Sequence, residues 1–185
     1  MRSVLAVGAL AGSVEAGCAG TLAAHRAAGD SVTLLVLAGD GGEDAARALD
    51  CLLVHGGSAP GAIGTDPVTI AAIENVLTGV EADVIYAPAP DDALPDLRAT
   101  AAATLSAARH GCRVLHYAGA STLRFEPSVF VDVTAYLELK LSLAEGAEER
   151  EIAAASARHL GARARVRYAE AFAPTRFVWD LTKET

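Results

Sequence analysis

Short apolar segments alternate with alanine-rich segments of helical periodicity along almost the whole chain. An apolar run bounded by Gly, Pro or Asp predicts a buried strand, and apolar positions three and four apart predict a helix. The pattern predicts six strands, at 4–7, 32–37, 51–54, 83–87, 113–117 and 129–131, and a last short strand or docking segment at 168–172. It predicts helices at 14–28, 44–49, 67–77, 96–110 and 148–164, and one after Asp132 or Thr134 with Leu137, Leu141 and Ala144 on one face.

This alternation indicates a fold class. Strands that alternate with helices of about 10–15 residues form right-handed βαβ units, whose strands lie parallel in one sheet. No repeat, low-complexity tract or linker divides the sequence. We therefore predict a single α/β domain over residues 1–185, with a doubly wound, mostly parallel, Rossmann-like sheet and helices on both faces.

The segment 4–23 combines the first strand, a loop and the first helix. The apolar run ends at Gly8, and the loop that follows lies at the carboxyl end of the strand, where open α/β sheets bind ligands. The glycines at 8, 12, 17 and 20 do not have the G-x-G-x-x-G spacing. The loop is therefore a candidate ligand site, but the spacing argues against a dinucleotide.

Charge and hydropathy argue against two classes of partner, nucleic acid and membrane. The formal net charge of −8 argues against nucleic acid as the main partner, because binding to its backbone needs concentrated Lys and Arg. The basic residues that do cluster lie near a predicted helix end, where cations complement the helix dipole: Arg158, Arg163, Arg165 and Arg167. No apolar run approaches the roughly 20 residues of a membrane helix, and no signal peptide is visible. We therefore expect a cytoplasmic protein with no membrane partner.

Two blocks of sequence flank the predicted ligand edge. Residues 7–23 are V-G-A-L-A-G-S-V-E-A-G-C-A-G-T-L-A, and residues 91–99 are D-D-A-L-P-D-L-R-A. They resemble V-G-A-H-P-D-D-x-E-x-G-C-G-G-T-L-A and D-D-x-H-P-D-H-R-A of the zinc-dependent N-acetylglucosamine deacetylases, the PIG-L or LmbE-like family. Segments 23–37, 82–88, 130–134 and 168–172 are similar to further blocks of that family in the same order. The resemblance implies an LmbE-like fold, whereas the match is poor between residues 39 and 66.

The resemblance also identifies positions at which the family's chemistry is missing. Leu10, Ser13 and Leu97 stand where the family has its three zinc ligands, and none is a ligand of useful strength. Gly12 stands in place of the general-base Asp, and Leu94 in place of the His that stabilises the oxyanion. The chain is therefore identified as a degenerate member with neither catalytic residues, metal nor cofactor. We expect the three leucines to cluster across the former metal position and fill it.

Other polar residues are predicted to converge at the same edge of the sheet. One interpretation is a repurposed pocket, with His55 or an Asp as base and Arg124 as an anion clamp. The other is structural: Asp91, Asp92 and Asp96 organise the loop and cap the helix, and Glu15 is a helix-start charge. The candidate pocket residues are Ser13, Glu15, His55, Asp91, Asp92, Tyr117, Ser121, Thr122 and Arg124.

Two functions follow from these observations. The first is an inactive pseudo-deacetylase that serves as a binding, scaffold or regulatory partner, as a homo-oligomer or in an assembly with an active homologue. The second is a metal-independent enzyme whose altered crevice acts on a small-molecule ligand in a biosynthetic pathway. The fold alone does not distinguish the two.

Overall fold

The computed structural model describes residues 1–176 of the chain. The strands are β1 (Ser3–Gly8), β2 (Ser31–Ala38), β3 (Leu52–Ser58), β4 (Val84–Pro88), β5 (Arg113–Tyr117), β6 (Val129–Asp132) and β7 (Ala169–Pro174). The helices are α1 (Ala11–Ala27), α2 (Glu43–Leu49), α3 (Pro67–Gly79), α4 (Pro95–Ala107), α5 (Leu137–Ser142) and α6 (Ala147–Ala164), with a 3-10 turn at Thr134–Tyr136 before α5.

The seven strands form one sheet in the order β3-β2-β1-β4-β5-β7-β6. Strands β1 to β5 pair in parallel, whereas β7 is antiparallel to both β5 and β6. The chain runs outward from β1 to β3 and then returns to place β4 on the other side of β1. The strand order therefore reverses between β1 and β4, and the loops after these two strands flank the crevice where such sheets bind ligands. The predicted α/β, mostly parallel fold is confirmed.

Each face of the sheet carries its own apolar core. Successive residues of a strand point to opposite faces, so Leu5 packs with the helices α3 and α4, while Val4 packs with α1 and α2. Because both faces are covered, β1 and β2 are nearly continuous apolar runs, as is typical of a buried parallel sheet. No helix in the described part of the chain has the length and hydrophobicity of a membrane span.

Several predicted boundaries were wrong, and helix α4 ends at Ala107 instead of residue 110. Helix α1 begins at Ala11 instead of residue 14, because the loop after β1 is only two residues long. Strand β3 extends to Ser58 because β2 continues to pair with it beyond residue 54, so His55 lies inside a strand and not at its end. Helix α5 ends at Ser142, which leaves Ala144 outside it.

Candidate functional site

The loop after β1 is closed by its own hydrogen bonds. The Ser13 side chain donates to the carbonyl of Leu10 over 2.6 Å, and the Ser13 amide donates to the same oxygen over 3.1 Å. Leu10 is the N-cap residue of α1, and its side chain is 45% exposed. Ser13 thus shapes the helix start, and the largest exposed group that the loop presents is a leucine.

Asp92 organises the loop after β4. Its carboxylate accepts a hydrogen bond from the amide of Leu94 over 2.9 Å and one from the Thr122 hydroxyl over 2.9 Å. The Thr122 hydroxyl oxygen in turn accepts the amide of Gly119 at 2.9 Å. Asp92 is almost fully buried, so its acceptor capacity is used inside the protein. Among the predicted pocket residues, the structure brings Asp92 and Thr122 into direct contact.

The other predicted pocket residues in the loops after β4 and β5 are exposed or form hydrogen bonds through their backbone. The Arg124 guanidinium lies 3.8 Å from the Asp91 carboxylate, and its side chain is 90% exposed. The backbone carbonyl of Ser121 accepts a hydrogen bond from the amide of Ala93 over 3.0 Å. An ion pair this long and this exposed stabilises the loop very little, so Arg124 is not held as an anion clamp.

Tyr117 connects the carboxyl end of β5 to that of β1. Its ring is buried at the end of β5, and its hydroxyl donates to the carbonyl of Val7 over 2.9 Å. Burial raises the pKa of the phenol well above its ordinary value of 10. Gly17 of α1 lies against the ring so closely that an added Cβ would be 2.1 Å from Cδ2. Tyr117 is therefore a packing residue with a satisfied hydroxyl.

His55 lies apart from this group. It is on β3, an edge strand, and its side chain is exposed. Its Nε2 lies 3.1 Å from the carbonyl oxygen of Gly41, in the loop after β2. This hydrogen bond connects strand β3 to the loop after β2 at the edge of the sheet.

The three leucines at the missing chemical positions do not form a common plug. Leu97 is 8% exposed and belongs to the core beneath α3 and α4, whereas Leu94 is 52% exposed. Leu10 is also largely exposed and lies 3.8 Å from the position of an added Cβ on Gly39 in the β2 loop. The expected cluster was wrong because the N-cap residues Leu10 and Leu94 are exposed, while Leu97, in the first turn of α4, packs into the core.

The residues at these positions do not fit a zinc ion. A catalytic site takes three ligands from His, Asp, Glu or Cys, and here the positions hold an exposed Leu10, a core Leu97 and a Ser13 bonded to the backbone. Within residues 1–176, no three His, Cys, Asp or Glu side chains are grouped so as to hold a metal. We derive no reaction through a metal at this edge.

Two shallow cavities lie away from this edge. One, of about 570 Å³, lies between the ends of α3 and α4 and is bordered by Leu77 and His110. The other, of about 290 Å³, lies between α1, α2 and α5 and is bordered by Arg26 and Tyr136. None of the predicted pocket residues borders either cavity.

Solved structures share this whole architecture. A conserved protein of Thermus thermophilus superposes with a TM-score of 0.86 at 23% identity, covering 100% of each chain. The N,N'-diacetylchitobiose deacetylase of Pyrococcus horikoshii superposes at 0.81 with 17% identity, over 94% of this chain and 84% of that one. The chain has the LmbE-type deacetylase fold. The same fold also occurs in GalB, the 4-carboxy-2-hydroxymuconate hydratase of Pseudomonas putida, with a TM-score of 0.79 and 15% identity over 98% of this chain and 100% of that one.

No protein-family model matches the sequence, and a search of the curated proteins gives no match. The structural likeness therefore establishes the fold, and the activity has to be argued from the residues of this chain. A fold that serves both a deacetylase and a hydratase does not specify one reaction.

Within this deacetylase fold, a buried ion pair joins the first helix to the last strand. Lys140 of α5 and Glu170 of β7 are in contact at 2.6 Å, and both side chains are almost fully buried. The Glu170 carboxylate accepts the amides of Gly20 at 3.1 Å and of Thr21 at 2.6 Å, while the Lys140 ammonium donates to the carbonyl of Ala16 over 2.7 Å. The pair therefore connects α1, α5 and β7.

The sequence pattern did not identify this pair. Lys140 lies in the segment Leu137–Ser142, whose alternating charges are typical of a solvated helix. Glu170 lies in segment 168–172, and Gly20 and Thr21 lie in segment 7–23. Both segments resemble blocks of the same family, and this resemblance was the one signal in the sequence that these residues belong together. The hydrogen bonds between Glu170 and the amides of Gly20 and Thr21 give a structural reason for the presence of both segments.

Glu15 is a carboxyl group in the first turns of α1 whose pKa is raised into the neutral range. Burial raises the pKa of its carboxyl from 4.5 to about 7; a backbone hydrogen bond lowers it, and the Glu145 carboxylate adds a smaller increase. Its Oε2 atom is buried and has no hydrogen-bond partner among the described residues. Glu15 is thus more than the helix-start charge that the sequence predicted.

We expect the unfavourable burial of Glu15 to make stability depend on pH. The pKa of the Glu15 carboxyl is higher in the folded protein than in the unfolded one. Its contribution to the free energy of unfolding is therefore complete below pH 4.5, where the carboxyl is protonated, and is lost as the pH rises to about 7. Glu15→Gln removes this loss and should stabilise the protein by about 1–3 kcal/mol at pH 8, with little difference at pH 4.5. Denaturant titrations at both pH values measure it, and Glu126→Gln is the exposed control; a gain that is independent of pH would contradict this explanation.

Proposed function

We propose that this protein is a catalytically inactive relative of the LmbE-type deacetylases that acts as a binding, scaffold or regulatory partner. The observation that carries the proposal is the chemistry of the carboxyl edge of the sheet. Polar side chains with fixed positions there, such as Asp92 and Tyr117, are bonded within the protein. The exposed large apolar side chains of the same loops are Leu10, Leu94 and Leu123.

This distribution favours binding over catalysis. General acid–base chemistry needs a group that can reach the substrate with its proton donor or acceptor free, and an oxyanion needs donors aimed at it. Exposed leucines offer neither, but they contribute apolar area to an interface with a protein partner. The partner that we propose is a second copy of the chain or an active homologue.

An assay of acetate release tests the proposal. With zinc supplied, the native chain should release no more acetate from N-acetylglucosamine derivatives than heat-denatured protein does. The matched variant carries Leu10→His, Gly12→Asp, Ser13→Asp, Leu94→His and Leu97→His, which restore the groups that the family uses. Acetate release by the native chain that a chelator abolishes would contradict the proposal, whatever the variant does.

A second candidate function is a metal-independent enzyme with an altered crevice acting on a small molecule. Glu15 supports it, because a carboxyl with a pKa of about 7 and an unpartnered oxygen is suited to proton transfer at neutral pH. The hydratase with the same fold is an example of a different reaction on this architecture. Loss of the protein's cellular role in Glu15→Gln, with fold and assembly intact, would favour this candidate over the first.

A further inference from the structure

The segment that joins β3 to α3 is held by one buried side chain and one hydrogen bond. It comprises residues 59–65, and we call it the strap. Its residues are exposed except Gly64, which is half-buried, and Ile63, which is 7% exposed and belongs to the apolar core on the side of α3 and α4. The hydrogen bond runs from the amide of Gly61 to the carboxylate of Asp96, in the first turn of α4, over 2.7 Å.

The strap crosses the carboxyl edge of the sheet. It begins where β3 ends, at Ser58, and its hydrogen bond is to α4, which follows β4. Strands β2 and β1 lie between β3 and β4, so the strap spans their carboxyl ends on the side of α3 and α4. The core on this side includes Leu97, whereas Leu94, three residues earlier at the N-cap of α4, is exposed. Covered and exposed leucines therefore adjoin at the start of α4, beside the strap.

Few interactions oppose the opening of the strap. Among the described residues, the bond from Gly61 to Asp96 is the one hydrogen bond between the strap and another element. Gly57, just before the strap, and Gly61 within it have φ angles of +78° and +80°, which glycine adopts without a Cβ penalty, and no atom lies within 4 Å of an added Cβ at either position. A segment with so few buried contacts opens at a lower free energy than the whole protein unfolds.

We infer that the strap is an autoinhibitory segment, which opens without the rest of the fold and is held closed by the hydrogen bond from Gly61 to Asp96. Opening withdraws Ile63 from the core and uncovers the apolar side chains with which it packs, next to the exposed Leu94. The strap thereby sets how much apolar surface the carboxyl edge offers to a partner. This inference rests on the proposed function for the use of that surface, whereas the opening itself does not depend on it.

The rate of cleavage by thermolysin measures the opening, because this protease cuts before large apolar residues and Ile63 has to leave the core to be cut. Asp96→Ala removes the acceptor of the hydrogen bond and should speed cleavage between Ala62 and Ile63 by about tenfold, the effect of losing one hydrogen bond to a charged group. Asp96→Asn keeps a carbonyl acceptor and should be cleaved within about threefold of the native rate. Asp91→Ala is the matched control, since the carboxylate of Asp91 is paired with Arg124 and should leave the native rate unchanged.

Two further measurements separate the opening of the strap from global unfolding. The native cleavage rate should change little up to about 1 M urea, because local opening exposes far less surface than unfolding does. Asp96→Ala should also bind more of the apolar dye anilinonaphthalene sulfonate than the native chain, while Asp96→Asn and Asp91→Ala should not.

The inference is overturned if Asp96→Ala is cleaved at the native rate, or if native cleavage rises with urea as steeply as global unfolding. It is equally overturned if Asp96→Ala is cleaved faster but binds no more dye, because the strap would then open without uncovering apolar surface. None of these measurements involves zinc or acetate release, so a failure of this inference is distinguishable from a failure of the proposed function.

Discussion

Replacing Lys140 by methionine is expected to destabilise the protein by about 3–5 kcal/mol, the usual cost of leaving one member of a buried ion pair without its partner. The Glu170 carboxylate would remain buried against the amides of Gly20 and Thr21 with its main counter-charge removed. The carbonyl of Ala16 would lose a donor at the same time. Denaturant unfolding at neutral pH measures the change in the free energy of unfolding.

The same experiment includes two matched variants. Lys140→Met combined with Glu170→Gln should recover part of the loss, since the amide oxygen still accepts the α1 amides but no charge remains buried. Arg124→Met removes an exposed cation and should change stability by less than about 0.5 kcal/mol. If Lys140→Met costs no more than Arg124→Met, the buried pair does not hold α1 to β7 as described.

Gly17→Ala is expected to cost about 2–4 kcal/mol, because its Cβ would lie 2.1 Å from Cδ2 of Tyr117. The ring cannot move aside cheaply: it is buried, and its hydroxyl is bonded to the carbonyl of Val7. Thermal and denaturant unfolding measure the loss, and near-ultraviolet circular dichroism reports the displacement of the tyrosine.

Gly12→Ala is the control within the same helix. No atom lies within 4 Å of an added Cβ there, and alanine has the higher helix propensity. It should be neutral or stabilise the protein by up to about 1 kcal/mol. Equal effects of the two substitutions would mean that α1 does not approach β5 as closely as the structure has it.

The order of strands and helices could be predicted because strands that are buried on both faces of the sheet are short, continuous apolar runs in the sequence. Strands β1, β2 and β5 are short apolar runs between Gly, Asp or Arg residues, and their predicted bounds are within one residue of the observed ones. Strand β3 was predicted too short because edge strands are half exposed, and polar residues such as His55 and Ser58 interrupt the apolar pattern. The place of β7 between β5 and β6 depends on pairing with distant strands, which local sequence does not record.

The candidate site could be located but not described from the sequence. The loops after β1 and β4 were correctly placed at one edge, because parallel strands bring their carboxyl ends together. The direction of a leucine side chain depends on its place in the helix: Leu10 at the N-cap of α1 is exposed, whereas Leu97 in the first turn of α4 is buried. Lys140 was missed because its neighbours in sequence are charged, and its burial comes from β7 thirty residues later.

The retained residues of the first sequence block have packing roles in this structure. Gly17 admits the ring of Tyr117, Gly20 lies against Val133, and the amides of Gly20 and Thr21 are bound by Glu170. None of these contacts requires a metal or a substrate. The fold alone is therefore a sufficient reason for these residues in this chain.

The most direct test of the central claim is a calorimetric titration of zinc into the apo protein. We predict no saturable binding at one zinc per chain for the native protein, because Leu10, Ser13 and Leu97 offer no ligand set. A folded variant with Leu10→His, Ser13→Asp and Leu97→His serves as the positive control for the position. Stoichiometric zinc binding by the native chain, reversed by a chelator, would show that the chain holds a zinc site and would contradict this prediction.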